Sequence, residues 1–313
     1  MKDLISIAAL NIEYVNSLLR DAIDLKQDGW RNVLEHKVLA LIFEKPSLRT
    51  RVSFEVAMRQ LGGTAIYLSP AEVGLGKRES IPDVARVLSR YVDVIAARTF
   101  SHQAVEELAK NADIPVINAL SDQEHPCQAL ADLMTVIEKK GDLKKLTLAY
   151  IGDGNNVANS LLLATALTGM NFRIAAPKGY MIPEKYLQLA RDFAAYSGTE
   201  IVYTEDPHQA AKNADVIYTD VWTSMGQEAE TELRRKIFAD YQINENLMKS
   251  AKDDAIIMHP LPAHRGEEVS AGILDTPNSV VFDQAENRMH IQKAVLARML
   301  GGLEMPLASY RLR

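Results

Sequence analysis

One cysteine in 313 residues, Cys127, rules out an intrachain disulfide, and such scarcity suits a reducing compartment. No uncharged apolar run reaches the ~18 residues of a membrane-spanning helix, so no membrane partner is expected. The opening MKDLISIAALNIEYV lacks an apolar core followed by a small-residue cleavage site, so no secretory leader is expected. Positive charge is in short supply. Lys and Arg number 35 against 41 Asp and Glu, a net charge of −6. No global basic field exists to hold nucleic acid, and an anionic ligand would need a local cluster of cations. Repeats and low-complexity tracts are missing as well. These absences together describe a cytoplasmic globular protein.

What is present is ordinary soluble composition, 47% hydrophobic and 24% charged, over a length that suits two domains. Apolar strand-like runs alternate with helical segments. HKVLALIF (36–43), TAIYL (64–68), DVIAAR (93–98) and IPVINAL (114–120) read as strands. SIPDVARVLSRY (80–91) reads as a helix with Val84, Val87, Leu88 and Tyr91 on one stripe. The pattern restarts at LTLAYIGD (146–153), followed by the helix NSLLLATALTGM and the strands FRIAAP (172–177), TEIVYT (199–204), DVIYTDV (215–221), AIIMHPL (255–261) and SVVFD (279–283). This α/β alternation predicts two domains, each a parallel β-sheet flanked by helices. Their expected extents are 1–134 and 135–287, with a helix from about Pro126 to Lys139 bridging them. Residues 288–313 are expected to form an amphipathic C-terminal helix packing back on the first domain.

Chemistry-bearing residues collect where strands end, the place open α/β sheets bind ligands. EKPSLRTRVSFE (44–55) follows a strand and opens a helix whose buried face would carry Phe54, Ala57 or Met58, and Leu61. Free backbone N–H groups, the positive helix end, the Ser47 and Thr50 hydroxyls and the Arg49 guanidinium suit a tetrahedral phosphate. A plain Ser cap with solvated arginines explains the same residues equally well. In EHPCQALADL (124–133), Pro126 at a first helical position leaves His125 at the cap, with Gln128 one turn on. His125 could donate to a carbonyl oxygen and Gln128 could hold an amide. His125 and Cys127 lack any companion ligand pair, so no metal is expected.

YIGDGNNVANS (150–160) has Gly152 and Gly154 after a strand, but Val157 replaces the third glycine of a dinucleotide loop and no acid ends the next strand. Asn155 and Asn156 are better read as polar groups for a small ligand or as turn formers. TDVWTSMGQE (219–228) places Asp220 at a strand end, where it could pair with an α-ammonium or simply shape a turn. In MHPLPAHRGEE (258–268), prolines on both sides of Leu261 predict an extended, rigid backbone whose carbonyls could accept from a substrate –NH₂.

Taken in order over nearly the whole chain, these five clusters resemble the aspartate/ornithine carbamoyltransferase family, and within it the ornithine-using members. The resemblance implies transfer of the carbamoyl group of carbamoyl phosphate to the δ-amine of ornithine, giving citrulline and phosphate, with no cofactor. It assigns carbamoyl phosphate to Ser47, Leu48, Arg49, Thr50, Arg98, His125, Gln128, Pro260, Leu261 and Arg288. It assigns the acceptor to Asn156, Asp220, Ser224 and Met225, and stabilisation of the developing negative oxygen to Arg98, His125 and Thr50. It also implies a homotrimer.

Three places depart from the family pattern. Leu48 stands where a threonine is usual. His259-Pro260-Leu261-Pro262 replaces the usual His-Cys-Leu-Pro, and is the form typical of aspartate enzymes. Those enzymes follow it with an arginine, however, where this chain has Ala263. AEVGLGKRES (71–80) lacks a glutamine near Gly74 that in many relatives reaches a neighbouring subunit, a role open to Lys77 or Arg78. Putrescine, an N-acylornithine or aspartate therefore remain alternative acceptors.

Overall fold

The computed structural model describes residues 1–29, 31–224 and 228–301. The chain forms two compact units. One holds Met1–Ile5, Asn16–Ser121 and the chain from Met289; the other holds Ser6–Val15 and Asp122–Arg288.

In the first unit, β1 (Val38–Phe43), β2 (Thr64–Leu68), β3 (Val94–Arg98) and β4 (Val116–Leu120) form a parallel sheet in the order β2-β1-β3-β4. β1 and β3 are covered on both faces, which is why they read as continuous apolar runs. The chain leaves β1 for one side and returns to β3 on the other. The carboxyl ends of these two neighbours, Phe43 opposite Arg98, therefore flank a topological switch point. After β1 the helix Leu48–Gln60 starts at an extended Ser47 and buries Phe54, Ala57 and Met58, with Leu61 at its end, the face expected from the spacing. The helix Ile81–Leu88 corrects one expectation. It buries Val84 and Ala85 and stops at Leu88, so Val87 is 44% and Tyr91 74% exposed.

The C-terminal helix Val281–Met299 returns to the first unit, as the amphipathic tail suggested. The Lys293 ammonium, wholly buried, donates to the Leu25 and Gly29 carbonyls (2.9 and 2.7 Å) at the end of the helix Ile12–Asp28. Oxygen acceptors and the negative helix end compensate its charge there. Arg298 bonds Asp21 and the Ser17 hydroxyl.

In the second unit, β5 (Thr147–Ile151), β6 (Asn171–Ala175), β7 (Ile201–Thr204), β8 (Val216–Tyr218) and β9 (Ile256–Met258) are parallel in the order β7-β6-β5-β8-β9. Its switch point lies between β5 and β8. The helix Asn156–Thr168 is buried nearly all round, matching its uniformly apolar sequence.

Two more expectations are corrected here. SVVFD is no strand: only Ser279 bridges Ile257, and the helix begins at Val281. Val280, Val281, Gln284 and Arg288 are buried while Phe282 is 71% exposed, a helical rather than alternating pattern. Leu261 is not extended. Its φ is +53°, and its peptide bond to Pro262 is cis. The Leu261 N–H turns back to His259 Nδ1 at 2.9 Å, a local bond that outweighs the usual preference before proline.

Candidate active site

In the first unit the residues singled out from the sequence gather at the β1/β3 switch point. Ser47 caps the helix Leu48–Gln60. Its hydroxyl accepts from the Thr50 N–H (3.4 Å) and donates to Thr50 Oγ1 (3.1 Å). Leu48, first in the helix, leaves its side chain 75% exposed, so what it offers an anion is its main-chain N–H. Thr50 and Arg98 are buried, the latter closing β3 beside Phe43 of β1.

The two arginines of the loop divide sharply. Arg51 is spent locally, bonding Glu55 (2.8 Å) and lying 4.0 Å over the Tyr67 ring. The Arg49 guanidinium is half-buried and makes no hydrogen bond or ion pair with any described residue. Desolvation lowers its pKa from the ordinary arginine value. A cation in the first turn of a helix is also set against the helix dipole. Both costs disappear if an anion sits there, beside hydroxyls and free N–H groups.

In the second unit the helix Pro126–Lys140 starts at His125, whose backbone is non-helical and whose side chain makes no capping bond. His125 is held from behind. Its N–H donates to Ser160 Oγ (2.9 Å), which donates to Glu124 Oε2 (3.2 Å). Glu124 also accepts from the Ser6 hydroxyl and the Ile7 N–H. Burial raises the Glu124 pKa, with the Ser6, Ile7 and Ser160 bonds opposing. Cys127 is buried, and burial pushes its thiol up to about 12, which keeps it inert.

Asp220, just past β8, faces Asn155, just past β5, across the second switch point, with Asn155 Nδ2 donating to Asp220 Oδ2 at 2.8 Å. Asn155 is meanwhile the cap of the helix Asn156–Thr168, accepting from Val157 and Ala158. Its turn-forming and site-building readings are thus both realised. Burial raises the Asp220 pKa, opposed by nearby His259, Asn155 and the Val221 N–H. No lysine or arginine among the described residues pairs with it. Asn156 and Ser224 are half-buried; Met225 lies outside the described residues.

Gly152 and Gly154 serve packing. A Cβ on Gly154 would fall 2.4 Å from the Ile182 nitrogen. Neighbouring Asp153, which the sequence did not single out, is buried against Arg234 (2.8 Å), and Arg234 also holds the Trp222 carbonyl (2.9 Å) and Glu230 (2.9 Å). Past β9, Pro260 is buried and Leu261 packs on the second unit's core. His259 Nδ1 accepts from Leu261, so its Nε2 carries the proton and donates to Glu268 at 3.2 Å. Arg288, on the C-terminal helix, is buried close enough to influence both Cys127 and Asp132.

The first unit thus carries a helix start with an unpaired half-buried arginine at its switch point, and the second a buried carboxylate with no described lysine or arginine at its own, features suited to binding small charged molecules. Comparison with known proteins agrees. Residues 2–138 match the aspartate/ornithine carbamoyltransferase carbamoyl-P binding domain and residues 144–299 the Asp/Orn binding domain of the same family. The chain belongs to the aspartate/ornithine carbamoyltransferase family. Among its relatives, ornithine carbamoyltransferase of Bacillus subtilis is 54% identical over 96% of this chain and 94% of its own. The anabolic ornithine carbamoyltransferase of Pyrococcus furiosus is 58% identical over 87% of this chain and 86% of its own. The solved structure of ornithine carbamoyltransferase from Pyrococcus furiosus superposes with a TM-score of 0.93, covering 97% of this chain and 98% of that one.

Proposed function

We propose that this enzyme transfers the carbamoyl group of carbamoyl phosphate to the δ-amine of L-ornithine, giving L-citrulline and phosphate. The observation that carries the choice of acceptor is Asp220, a buried carboxylate with which no described lysine or arginine pairs. An α-ammonium supplies that charge and a carboxylate would be repelled. Ornithine meets this requirement, as the names of the relatives lead one to expect. Ser47, Arg49, Thr50, Arg98 and the Leu48 N–H are assigned to the phosphate. His125, Gln128, Arg288 and the main chain at Pro260 and Leu261 are assigned to the carbamoyl group. Asn156, Asp220, Ser224 and Met225 are assigned to ornithine.

Catalysis follows from charge. When the amine attacks the carbonyl, a negative oxygen develops, and Arg98, His125 and Thr50 are the donors assigned to it. One preorganised donor is worth roughly 3–4 kcal/mol of barrier. The amine must arrive unprotonated, although alkyl ammonium groups titrate near ~10.4. The departing phosphate is the base that accepts its proton. No resident cofactor enters this scheme.

The biosynthetic direction, towards arginine, is supported by the anabolic relative, and a cytoplasmic setting by the single, buried cysteine. No described helix is long and apolar enough to cross a membrane. A homotrimer is supported by apolar side chains left in water on the first unit: Leu48 and Val52 one helical turn apart, and Ile66 on edge strand β2. The deciding experiment offers carbamoyl phosphate with ornithine, N-acetylornithine, putrescine or aspartate and measures the ureido product. Citrulline from ornithine alone supports the assignment; product from another acceptor removes the role given to Asp220.

A further inference from the structure

Behind Gln128 lies a buried polar network that the roles above leave unused. Asp132, one helical turn further on, is 1% exposed, and Gln128, Gln284 and Tyr218 are wholly buried. Asp132 Oδ1 accepts from Gln128 Nε2 and from Gln284 Nε2, both at 2.8 Å, and Oδ2 accepts from the Tyr218 hydroxyl at 3.0 Å. Gln284 is then fully determined. Its –NH₂ faces Asp132, so its oxygen faces the other way and accepts the His259 N–H at 2.9 Å. Gln128 is determined at one end only. Its –NH₂ is fixed on Asp132, while its Oε1 is buried and accepts from no described residue.

Burial raises the Asp132 pKa to about 7, and a proton taken up there belongs on Oδ2 beside the Tyr218 hydroxyl, so Oδ1 is an acceptor in either state and both amides present nitrogen to it. The oxygen of Gln128 is thereby committed to the opposite side, where a buried acceptor without a donor costs about 1–3 kcal/mol. The group that relieves this cost must be an N–H or O–H donor of the ligand. Under the carbamoyl transfer proposed above, on which this step rests, that donor is the carbamoyl –NH₂.

We infer that Asp132 is a positioning residue for carbamoyl recognition: it locks the Gln128 carboxamide so that its oxygen meets the substrate –NH₂, and through Gln284 it steadies the main chain at His259. An ester or acyl phosphate lacking that –NH₂ would leave Gln128 unsatisfied, so this lock selects a carbamoyl group over an acetyl group of similar size. The requirement is for an acceptor oxygen at Oδ1. An asparagine that keeps this oxygen on the two amides conserves the lock, whereas an alanine abolishes it.

The test is steady-state kinetics of Asp132→Ala, Asp132→Asn, Gln128→Ala and the double variant Gln128→Ala/Asp132→Ala. The measured quantities are kcat, KM for each substrate and the inhibition constant of inorganic phosphate, which has no –NH₂. Asp132→Ala is expected to lower kcat/KM for carbamoyl phosphate about thirtyfold to a hundredfold while phosphate inhibition stays within about twofold. Asp132→Asn should remain within about tenfold of wild type, and the losses of Gln128→Ala and Asp132→Ala should overlap rather than multiply. Fully multiplicative losses, or phosphate weakened as much as carbamoyl phosphate, overturn the inference. If Asp132→Ala does not fold, Asp132→Asn and Gln128→Ala decide together: an Asp132→Asn enzyme within about tenfold of wild type, beside a Gln128→Ala loss confined to carbamoyl phosphate, supports the lock, and a larger Asp132→Asn loss, or a loss in either variant shared with phosphate, overturns it. Wild-type enzyme assayed alongside separates the two levels. Without citrulline from wild type the reaction assignment fails and the inference with it; with citrulline, an unfavourable result in the variants removes the inference alone.

Discussion

Arg234→Met should destabilise the second unit, and more so at alkaline than at acidic pH. Arg234 is 5% exposed and binds Asp153, Glu230 and the Trp222 carbonyl at 2.8–2.9 Å. Burial already pushes the Asp153 carboxyl up to about 6, with Arg234 opposing the rise. A carboxyl whose folded value lies above its unfolded one adds its full share of stability below the unfolded value. It loses that share as pH rises through the folded value. From 3.8 to about 6 this amounts to roughly 3 kcal/mol in the intact protein. Without the guanidinium the folded value climbs further, so ionised Asp153 costs more. Removing one partner of a buried pair typically costs about 3–5 kcal/mol. That is the expected loss near pH ~8, equivalent to about 10 °C in Tm for a unit of this size. Near pH ~5 Asp153 holds its proton in both proteins, and the loss should shrink to about 1–2 kcal/mol from the Trp222 hydrogen bond and the packing over Tyr180. Urea unfolding at both pH values, followed by tryptophan fluorescence in a Trp30→Phe background that leaves Trp222 as the sole indole, measures this. An equal loss at both, or less than about 1 kcal/mol near pH ~8, would refute the reasoning.

Arg49→Ala should lower kcat/KM for carbamoyl phosphate by about 10²–10³ while Tm stays level or rises, because a half-buried cation leaves the wrong end of a helix; a clear fall in Tm would show it to be structural. Asp220→Ala should raise KM for ornithine about a hundredfold or more with carbamoyl phosphate binding little changed, and equal effects on both substrates in calorimetry would count against its role. Gly154→Ala should cost about 1–3 kcal/mol or more in urea unfolding, since the new Cβ meets the main chain of residues 180–182 at 2.4–2.8 Å, and an unchanged midpoint would contradict that packing.

The sheets and the anion loop were legible because their signals are local. A Val/Leu/Ile run followed by Pro-Ser and a helical period needs only neighbours to interpret. Asp132 was not legible: in ALADL it looks like any polar residue on a helix, and its meaning comes from Gln284 and Tyr218, far away in the chain. Arg234 and Asp153 are equally remote from one another. SVVFD misled because β-branched residues favour strands, yet Val280, Val281 and Gln284 are buried in helical order. Leu261 misled because flanking prolines suggest an extended chain, and sequence does not reveal that His259 would accept its N–H.

The helix Val281–Met299 carries a consequence for biosynthesis. Lys293 and Arg298 fasten onto Asp21, Leu25 and Gly29, bonds that link the last helix to the first long one. A ribosome makes Asp21, Leu25 and Gly29 more than 260 residues before Lys293, so the first unit cannot close until the chain from Met289 has been made. The second unit, ending at Arg288, can settle earlier. Vectorial order is thus inverted: the half made first is completed last. A ribosome stalled before Lys293 would hold an N-terminal half still open to chaperones and proteases.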